Sequence, residues 1–480
     1  MKWKNRCCPL TKDLFLVLRK KWALYFLLIL LAPLPGNSQV LTLKNAVATA
    51  LDNYGIIKAK ANYLKASEAL VKASSLQYLP DFNLGAENVY GTANGTFGPL
   101  YPGKVQGAAS AGPFFLNQNW HSAFGALYLA NVNWDVFTFG RVSSSIKLAK
   151  AQALRDTQDL EQENFQQKVR VAGAYLNLLA AQRLKLSQQK NLDRATALRA
   201  VVIARTKSGL NAGVDSSLAN AEVSNARIAL TNATDFEKEQ ASQLAQLMGV
   251  TPVDFLLDTV FVNRLPASVY DSGMHTVEHP LLNYYQSRIE VSREEEKYYN
   301  RLKYPVVSLF GALQSRGSGF GEHYSVIDPE DFTHNYWSGV KPGTGNYVVG
   351  VGIAWNLTSL VRTQQQVAAR QFTSKGLENE YELVSQQIKA RQTLSDEKIA
   401  NALANFSEAP LQVKAAADAY LQKTVLYKNG LANIVDITQA LYTLNRAETD
   451  REIANNNVWQ ALLYKSAASG DFGLFINEFQ

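Results

Sequence analysis

Two aspartates, Asp215 and Asp436, are the side chains of this sequence whose type and placement best suit chemistry. Each follows a Gly-Leu pair by five residues, and the two stand 221 residues apart. A carboxylate in such a place can bind cations or set the ion preference of a narrow passage. It can equally cap a helix, because the N–H groups and the dipole at a helix N-terminus favour negative charge. Asn433, three residues before Asp436, fits a reciprocal capping pair, so both roles stay open.

The other reactive side chains form no catalytic pattern. His121, His323 and His334 are scattered, and nothing near them completes a metal-binding spacing. No Ser-His-Asp, metal or paired-carboxylate constellation stands out. Cys7 and Cys8 are the only cysteines, and both lie in a segment that we expect to be removed. We therefore expect no enzymatic activity, no metal and no cofactor.

A long internal repeat positions the two aspartates. Trp134 corresponds to Trp355 and Arg141 to Arg362, at the same offset of 221 residues that relates the aspartates. No insertion breaks this spacing, which indicates a rigid unit present twice. We divide the chain into a signal peptide (1–38), a first repeat (39–249), a connector (250–276), a second repeat (277–470) and a C-terminal tail (471–480).

Each repeat contains one very long helix. Residues 141–207 include no proline and only Gly173 as glycine, and their apolar side chains recur at helical spacing. At ~1.5 Å per residue this helix is roughly 100 Å long, so it must pack beside other long helices. The second copy, 362–428, carries Pro410, which predicts a kink or a break near Ala409.

Strands precede both helices. Residues 120–137 alternate between apolar and polar side chains, and the second copy repeats this alternation up to Leu357. We expect each to pair with a strand before a long loop, 81–90 and 306–315. The apolar faces predict contact with lipid through Trp120, Phe124, Tyr128, Trp134, Tyr347 and Trp355.

Four strands cannot close a barrel, which needs about eight or more. The second face is too polar for another sheet to cover, so several chains must pool their strands if both faces are real. The sequence therefore predicts an α+β membrane protein whose strands join a shared transmembrane barrel, with a soluble sheet as the alternative.

The N-terminus reads as a secretory signal. A basic stretch at 19–21 precedes a short apolar run at 22–34 and small residues at 36–38, and the run is too short to anchor in a membrane. Without this segment 41 basic residues face 40 acidic ones, a net charge of +1 that argues against nucleic-acid binding. The remaining chain has no run of 18 apolar residues, so we expect no membrane-spanning helix.

The repeated motifs resemble those of the TolC family of outer-membrane efflux proteins, the outer membrane factors. The first copy reads WDVFTFGR at 134–141 and KSGLNAGVD at 207–215, and the second reads WNLTSLVR at 355–362 and KNGLANIVD at 428–436. The similarity extends from Leu41 to Ser469. No single motif is specific, and the weight lies in their order, spacing and doubling.

This resemblance implies a homotrimer in the outer membrane of a Gram-negative bacterium, with a large periplasmic portion. Three chains would form a twelve-stranded barrel, continued by a helical tunnel. A periplasmic adaptor and, through it, an inner-membrane pump would feed small molecules or secreted protein into this exit duct. The alternative is a structural periplasmic coiled-coil protein without channel activity.

The resemblance also implies roles for residues at the tunnel tip. Asp436 matches the first aspartate of a gate, while Asp215 and Tyr427 match residues that link neighbouring helices. Gln439 stands where the family has a second gate aspartate, and Ala432 replaces a basic linking residue. The helix turns, which would dock the adaptor, contain Gly209, Leu210, Gly430 and Leu431.

Overall fold

The computed structural model of the chain describes residues 40–95, 112–252, 254–259, 264–270 and 278–479. The predicted signal peptide and parts of the first long loop and of the connector lie outside these residues. In chain order the main elements are α1 (Leu43–Asn53), α2 (Gly55–Ser75), β1 (Asp81–Thr92), β2 (Ser122–Phe137), α3 (Arg141–Lys207), α4 (Gly213–Met248), α5 (Pro280–Arg301), β3 (Val306–Ser318), α6 (Tyr336–Val340), β4 (Thr344–Ala354), α7 (Ser359–Lys428), α8 (Ile434–Ser469) and α9 (Gly473–Ile476).

The long helices have the predicted bounds almost throughout. The 67 residues of α3 coincide with the predicted segment, and the 70 residues of α7 begin three residues before Arg362. However, α7 continues through Pro410, so a helix break near Ala409 is wrong. Proline removes one backbone hydrogen bond. Ala409 is buried and α7 packs along the antiparallel α8, so packing holds the helix together across that position.

The four strands form one antiparallel sheet in the order β1-β2-β3-β4. The pairings of β1 with β2 and of β3 with β4 confirm the predicted hairpins. The pairing of β2 with β3 was not predicted, and it joins the two repeats into one sheet. A β-bulge between Asp135 and Phe137 ends the regular pairing just before β2 leads into α3.

The register gives the sheet one apolar and one polar face. Tyr128 lies opposite Ala86 and Ser315, while Leu313 lies opposite Tyr347. We call this side the apolar face; its exposed members include Phe82, Leu84, Leu313, Tyr347, Val349, Val351 and Ile353. The opposite side carries Asn83, Glu87, Asn131, Asn133, Gln314 and Arg316. The predicted alternation is therefore continuous across all four strands.

The six aromatic residues predicted to face lipid differ in their positions. Trp134 and Tyr347 lie within strands, whereas Trp120 precedes β2 and Trp355 follows β4. Trp134 and Trp355 donate their indole N–H groups to the carbonyl oxygens of Tyr78 and Lys303, at 2.8 and 3.0 Å. Each tryptophan thus ties a strand end to the chain segment just before the neighbouring strand.

Phe124 and Tyr128 lie on the apolar face but are half-buried, because the short helix α6 packs over them. This helix belongs to the loop between β3 and β4. Contact of these two side chains with lipid stays a prediction, as it does for the other four.

The buried apolar side chains of the described helices form three clusters, of which the two with most members are called the larger and the smaller core; the third, Ala416, Leu444 and Ala447, lies between α7 and α8. In the larger core, α1, α3, α4, α8 and α9 meet around Tyr175, Leu244, Trp459 and Phe475. The smaller core lies near the turns α3–α4 and α7–α8; its members include Leu198, Val202, Val223, Tyr427 and Ile437. The segment 264–270 of the connector is fastened to the C-terminal tail, whose Glu478 carboxylate accepts hydrogen bonds from the N–H groups of Ala267 and Ser268. The predicted division into segments stays a prediction.

A polar layer separates the two cores where α3 packs against α8. We call it the polar seam: residues 187–194 of α3 and 445–449 of α8. Arg194 donates two hydrogen bonds to the Glu448 carboxylate, of 2.9 and 2.5 Å. Buried polar atoms of the seam that find no hydrogen-bond partner among the described residues are the hydroxyls of Ser187 and Thr449, Oδ1 of Asn191 and Asn445, and Nε of Arg194.

Among the helices in the described ranges, none has a stretch that is both long and apolar enough to cross a lipid bilayer.

Candidate functional site

The two helical hairpins end in turns of the same construction. Gly209 and Gly430 follow the ends of α3 and α7 with φ angles of 72° and 77°. In the first turn, Leu210 N donates to Arg205 O at 2.9 Å, and in the second Leu431 N donates to Leu426 O at the same distance. This is the glycine-terminated helix end in which a left-handed residue satisfies the last free carbonyls. A side chain at either glycine would strain the turn.

The turns present apolar side chains to solvent. Leu210 and Leu431, at equivalent positions of the repeats, are 68% and 74% exposed. Val214 and Val435, four residues further on, are exposed as well. The predicted docking residues therefore lie together at the ends of the two hairpins, where a helical partner can reach them.

Asp436 caps a helix. Its N–H donates to Asn433 Oδ1 at 2.9 Å, and its carboxylate accepts from Asn433 N at 3.3 Å, which completes the capping pair at the start of α8. The other carboxylate oxygen lies 3.7 Å from Lys423 Nζ. The capping role that the sequence allowed is therefore present, and it leaves the carboxylate half-exposed.

Asp215 makes different contacts, although it occupies the equivalent position. Its carboxylate accepts a hydrogen bond of 2.7 Å from Asn211 Nδ2, and the same amide nitrogen donates to Tyr427 Oη at 2.9 Å. Asn211 therefore joins the first turn to the last residues of α7. Tyr427 is only 2% exposed, and burial, followed by the nearby Asp215 carboxylate, raises the pKa of Tyr427. It acts here as a neutral hydroxyl.

Arg205 connects the two turns and was not predicted as a site residue. Its Nε donates to Asn211 Oδ1 at 2.9 Å, and its Nη1 donates to the Lys428 carbonyl at 2.6 Å. Its guanidinium lies 5.4 Å from the centre of the Tyr427 ring. Lys428 O is a helix-terminal carbonyl, which a cation near a helix C-terminus stabilises. We call Arg205, Asn211, Asp215 and Tyr427 the tip network.

The remaining gate candidates lie outside this network. Gln439 is on α8, one turn beyond Asp436, with an exposed side chain. Ala432 is half-buried against the smaller core. Arg205, 227 residues earlier in the chain than Ala432, lies beside Lys428 and Gly430 of the same turn. A basic residue in the last turn of a helix is common, so the sequence carried no signal of this role.

The arrangement can fasten two hairpins and present carboxylates, but it holds no nucleophile–base pair. Within the described part of the chain, no group of three or more His, Cys, Asp or Glu residues is placed to bind a metal ion.

Comparison with known proteins identifies the architecture. Residues 46–250 match the outer membrane efflux protein family. The fold is similar to that of VceC from Vibrio cholerae, with 16% sequence identity, a TM-score of 0.68 and coverage of 89% of this chain and 96% of that one. The Campylobacter jejuni CmeC outer membrane channel gives 12% identity, a TM-score of 0.71 and coverage of 89% and 85%.

By this match and by its fold, the chain resembles the outer membrane efflux proteins. A third similar structure, the open state of the Neisseria gonorrhoeae MtrE outer membrane channel, has 15% identity, a TM-score of 0.67 and 89% coverage of each chain. No curated protein matches by sequence. The family match and the similar fold favour a transport channel over an enzyme and over a purely structural coiled coil.

Proposed function

We propose that this protein is the exit duct of a tripartite efflux or type I secretion system. It would pass small molecules from a periplasmic pump and adaptor assembly to the exterior. This proposal rests on the direct connection of two different parts of the chain. One is a sheet with an exposed apolar face, and the other is a set of helices of up to 70 residues that begin where β2 and β4 end, which we call the lower end of the sheet. The first part suits lipid, and the second suits an aqueous compartment.

Assembly into a ring supports the duct. In the single chain β1 and β4 are the outer strands of the sheet, and most of their residues are exposed. Unpaired edges of this kind pair with other strands, and β1 of one copy can pair with β4 of the next. Two copies would supply eight strands and three would supply twelve; the family resemblance favours the homotrimer.

The helices carry matching unpaired stripes below these edges. On α2, beneath β1, Ile56, Tyr63 and Leu70 are exposed and recur every seven residues. On α7, beneath β4, Val361, Phe372 and Leu383 are exposed and recur every eleven. The helix α2 leads into β1 and α7 follows β4, so each stripe belongs to a helix attached to an edge strand. Contact between the α2 stripe of one copy and the α7 stripe of the next would extend the ring into the helical part.

At the far end of this tunnel we assign the gate to Asp436, Gln439 and the tip network, and the adaptor contact to the exposed leucines of the two turns. Several copies of Asp436 around one axis would repel each other and attract cations. The capping pair and Lys423 would hold each carboxylate in place.

Single-channel recording of the purified protein in planar bilayers tests the duct and the gate together. Asp436→Asn retains an oxygen for the cap but removes the charge, whereas Asp436→Ala removes both. Loss of cation preference in both variants would assign the charge to the gate. A change in Asp436→Ala alone would restrict Asp436 to capping, and the absence of any channel in the unmodified protein would contradict the duct.

A further inference from the structure

The short helix α6 is seated on the apolar face of the sheet. Tyr128 Oη donates to the Val340 carbonyl at 2.9 Å, and Asn88 Nδ2 donates to Tyr336 Oη at 3.2 Å. The rings of Phe124 and Tyr336 meet edge to face, with centroids 5.1 Å apart. These contacts reach both β1 and β2, so α6 lies across the strands on the side that carries the exposed apolar side chains.

The seat depends on two glycines. A Cβ atom at Gly339 would collide with the backbone of Phe124, and one at Gly317 would lie 2.7 Å from Gly339 O. The helix is also held from within, because Asn335 Oδ1 accepts from Ser338 N and the Lys341 N–H donates to Trp337 O. The helix is thus packed directly against the strands and has a defined orientation.

Trp337 points away from this seat. It is 77% exposed, although Tyr336 beside it is engaged with the sheet. The rings of Trp337 and Tyr336 lie 5.2 Å apart, so the indole has a defined position. A fixed, exposed indole on an apolar surface is the arrangement of tryptophans at membrane interfaces, where an apolar ring meets lipid and its N–H remains near water.

The height of α6 on the sheet agrees with such an interface. Trp134 lies near the lower end of the apolar face, and Phe124, under α6, precedes it by ten residues in β2. At about 3.3 Å per residue this is about 33 Å along the strand, which a barrel tilt of about 40° reduces to about 25 Å. The apolar band of a membrane barrel is about 25 Å tall. Trp134 and Trp337 would then lie at opposite edges of one band.

We propose that α6 rests in the headgroup region of the outer leaflet and that Trp337 anchors the barrel rim to the lipid there. The exposed Lys341 directly after the helix would meet the phosphate-bearing headgroups. This assignment rests on the proposed function, since it requires the sheet to span a membrane. It adds an anchoring element that belongs to a loop and not to a strand.

Tryptophan fluorescence in vesicles tests the proposal. The purified protein is inserted into phosphatidylcholine vesicles whose acyl chains carry bromine, a quencher, at either a shallow or a deep position. The emission of Trp337 is taken as the difference between the unmodified protein and Trp337→Phe. We expect shallow bromine to remove most of this emission, deep bromine to remove less, and aqueous iodide to remove little.

The emission differences between the unmodified protein and two further variants serve as controls. Trp459→Phe reports an indole in the larger core, which bromine should not quench. Trp355→Phe reports the opposite edge of the band, which shallow bromine should quench. Quenching of Trp355 but not of Trp337, with Trp337 open to iodide, would overturn the anchor while retaining the membrane barrel. Absence of bromine quenching at both positions would overturn the membrane assignment itself.

Discussion

Arg205 links the two hairpin turns, because it donates to Asn211 of one and to the Lys428 carbonyl of the other. Hydrogen bonds from charged groups contribute about 1.5–3 kcal/mol each when buried, and less at an exposed tip. We expect Arg205→Ala to loosen the turns by roughly 1–2 kcal/mol and to raise single-channel conductance. Arg205→Lys should have nearly the same effect as Arg205→Ala, because a lysine ammonium cannot reproduce the forked donor geometry of the guanidinium.

Spin labels at Leu210 and Leu431, both exposed, report the distance between the turns directly. The distance distribution should broaden in Arg205→Ala and stay narrow in Arg199→Ala, a matched change less than two turns earlier on α3. An unchanged distribution and conductance in Arg205→Ala would show that the tip network does not restrain the hairpins.

We expect His279 to make the stability of the helical part dependent on pH. It caps α5 by accepting the Leu281 N–H at Nδ1, at 3.1 Å, which requires this nitrogen to be unprotonated. Burial, with a smaller contribution from Arg391, lowers the pKa of His279 despite its contact with the Ala467 carbonyl. A lowered folded-state pKa means that the unfolded chain binds the proton more readily.

We therefore expect the free energy of unfolding to be highest above the unfolded pKa of about 6.5 and to decrease as the pH falls below it. His279→Asn should weaken this dependence, because asparagine also caps helices but does not titrate. Melting curves from pH 7.5 down to pH 5 compare the two proteins. If the unmodified protein and His279→Asn lose the same stability as the pH falls, the pH dependence arises from other groups.

At the scale of elements, the polar seam leaves some buried polar atoms between α3 and α8 without hydrogen-bond partners among the described residues. The Thr449 hydroxyl is buried without a hydrogen-bond partner among the described residues. Leaving such a group unsatisfied costs about 1–3 kcal/mol. Thr449→Val keeps the shape and removes the hydroxyl, so we expect it to raise the melting temperature. Thr438→Val is the control, because its hydroxyl donates to Ile434 O. Destabilisation by Thr449→Val would indicate that the seam is hydrated.

The elements that the sequence predicted are those with long periodic patterns. The bounds of α3 and the alternating faces of the strands followed from periods of 3.6 and 2, which repeat over many residues. A five-residue helix such as α6, in a loop rich in glycine, has no comparable pattern. The pairing of β2 with β3 and the contact of Arg205 with Lys428 join residues roughly 200 apart, and local pattern carries no information about such contacts.

At the scale of the whole molecule, the single chain has edges that another copy of the chain can cover. Its sheet has two free edges, and the exposed stripes on α2 and α7 lie below them. Repeating one contact around a ring leaves no edge unpaired. Burial of an apolar side chain contributes about 1.5–3 kcal/mol. Tyr63 and Leu70 from each of three copies would therefore contribute on the order of 10 kcal/mol to the closed ring.

We expect the pair of changes Tyr63→Asp and Leu70→Asp to abolish the trimer while leaving the helices of each chain intact, because both side chains are exposed in the single chain. Native mass spectrometry in detergent measures the oligomer, and circular dichroism measures the helix content. Tyr63→Phe, which preserves the apolar surface, should remain trimeric. If the double variant is still trimeric, the copies do not depend on the α2 stripe for their contact, and the sheet edges are the principal interface. Loss of helix content would mean that α2 is needed for folding within the chain.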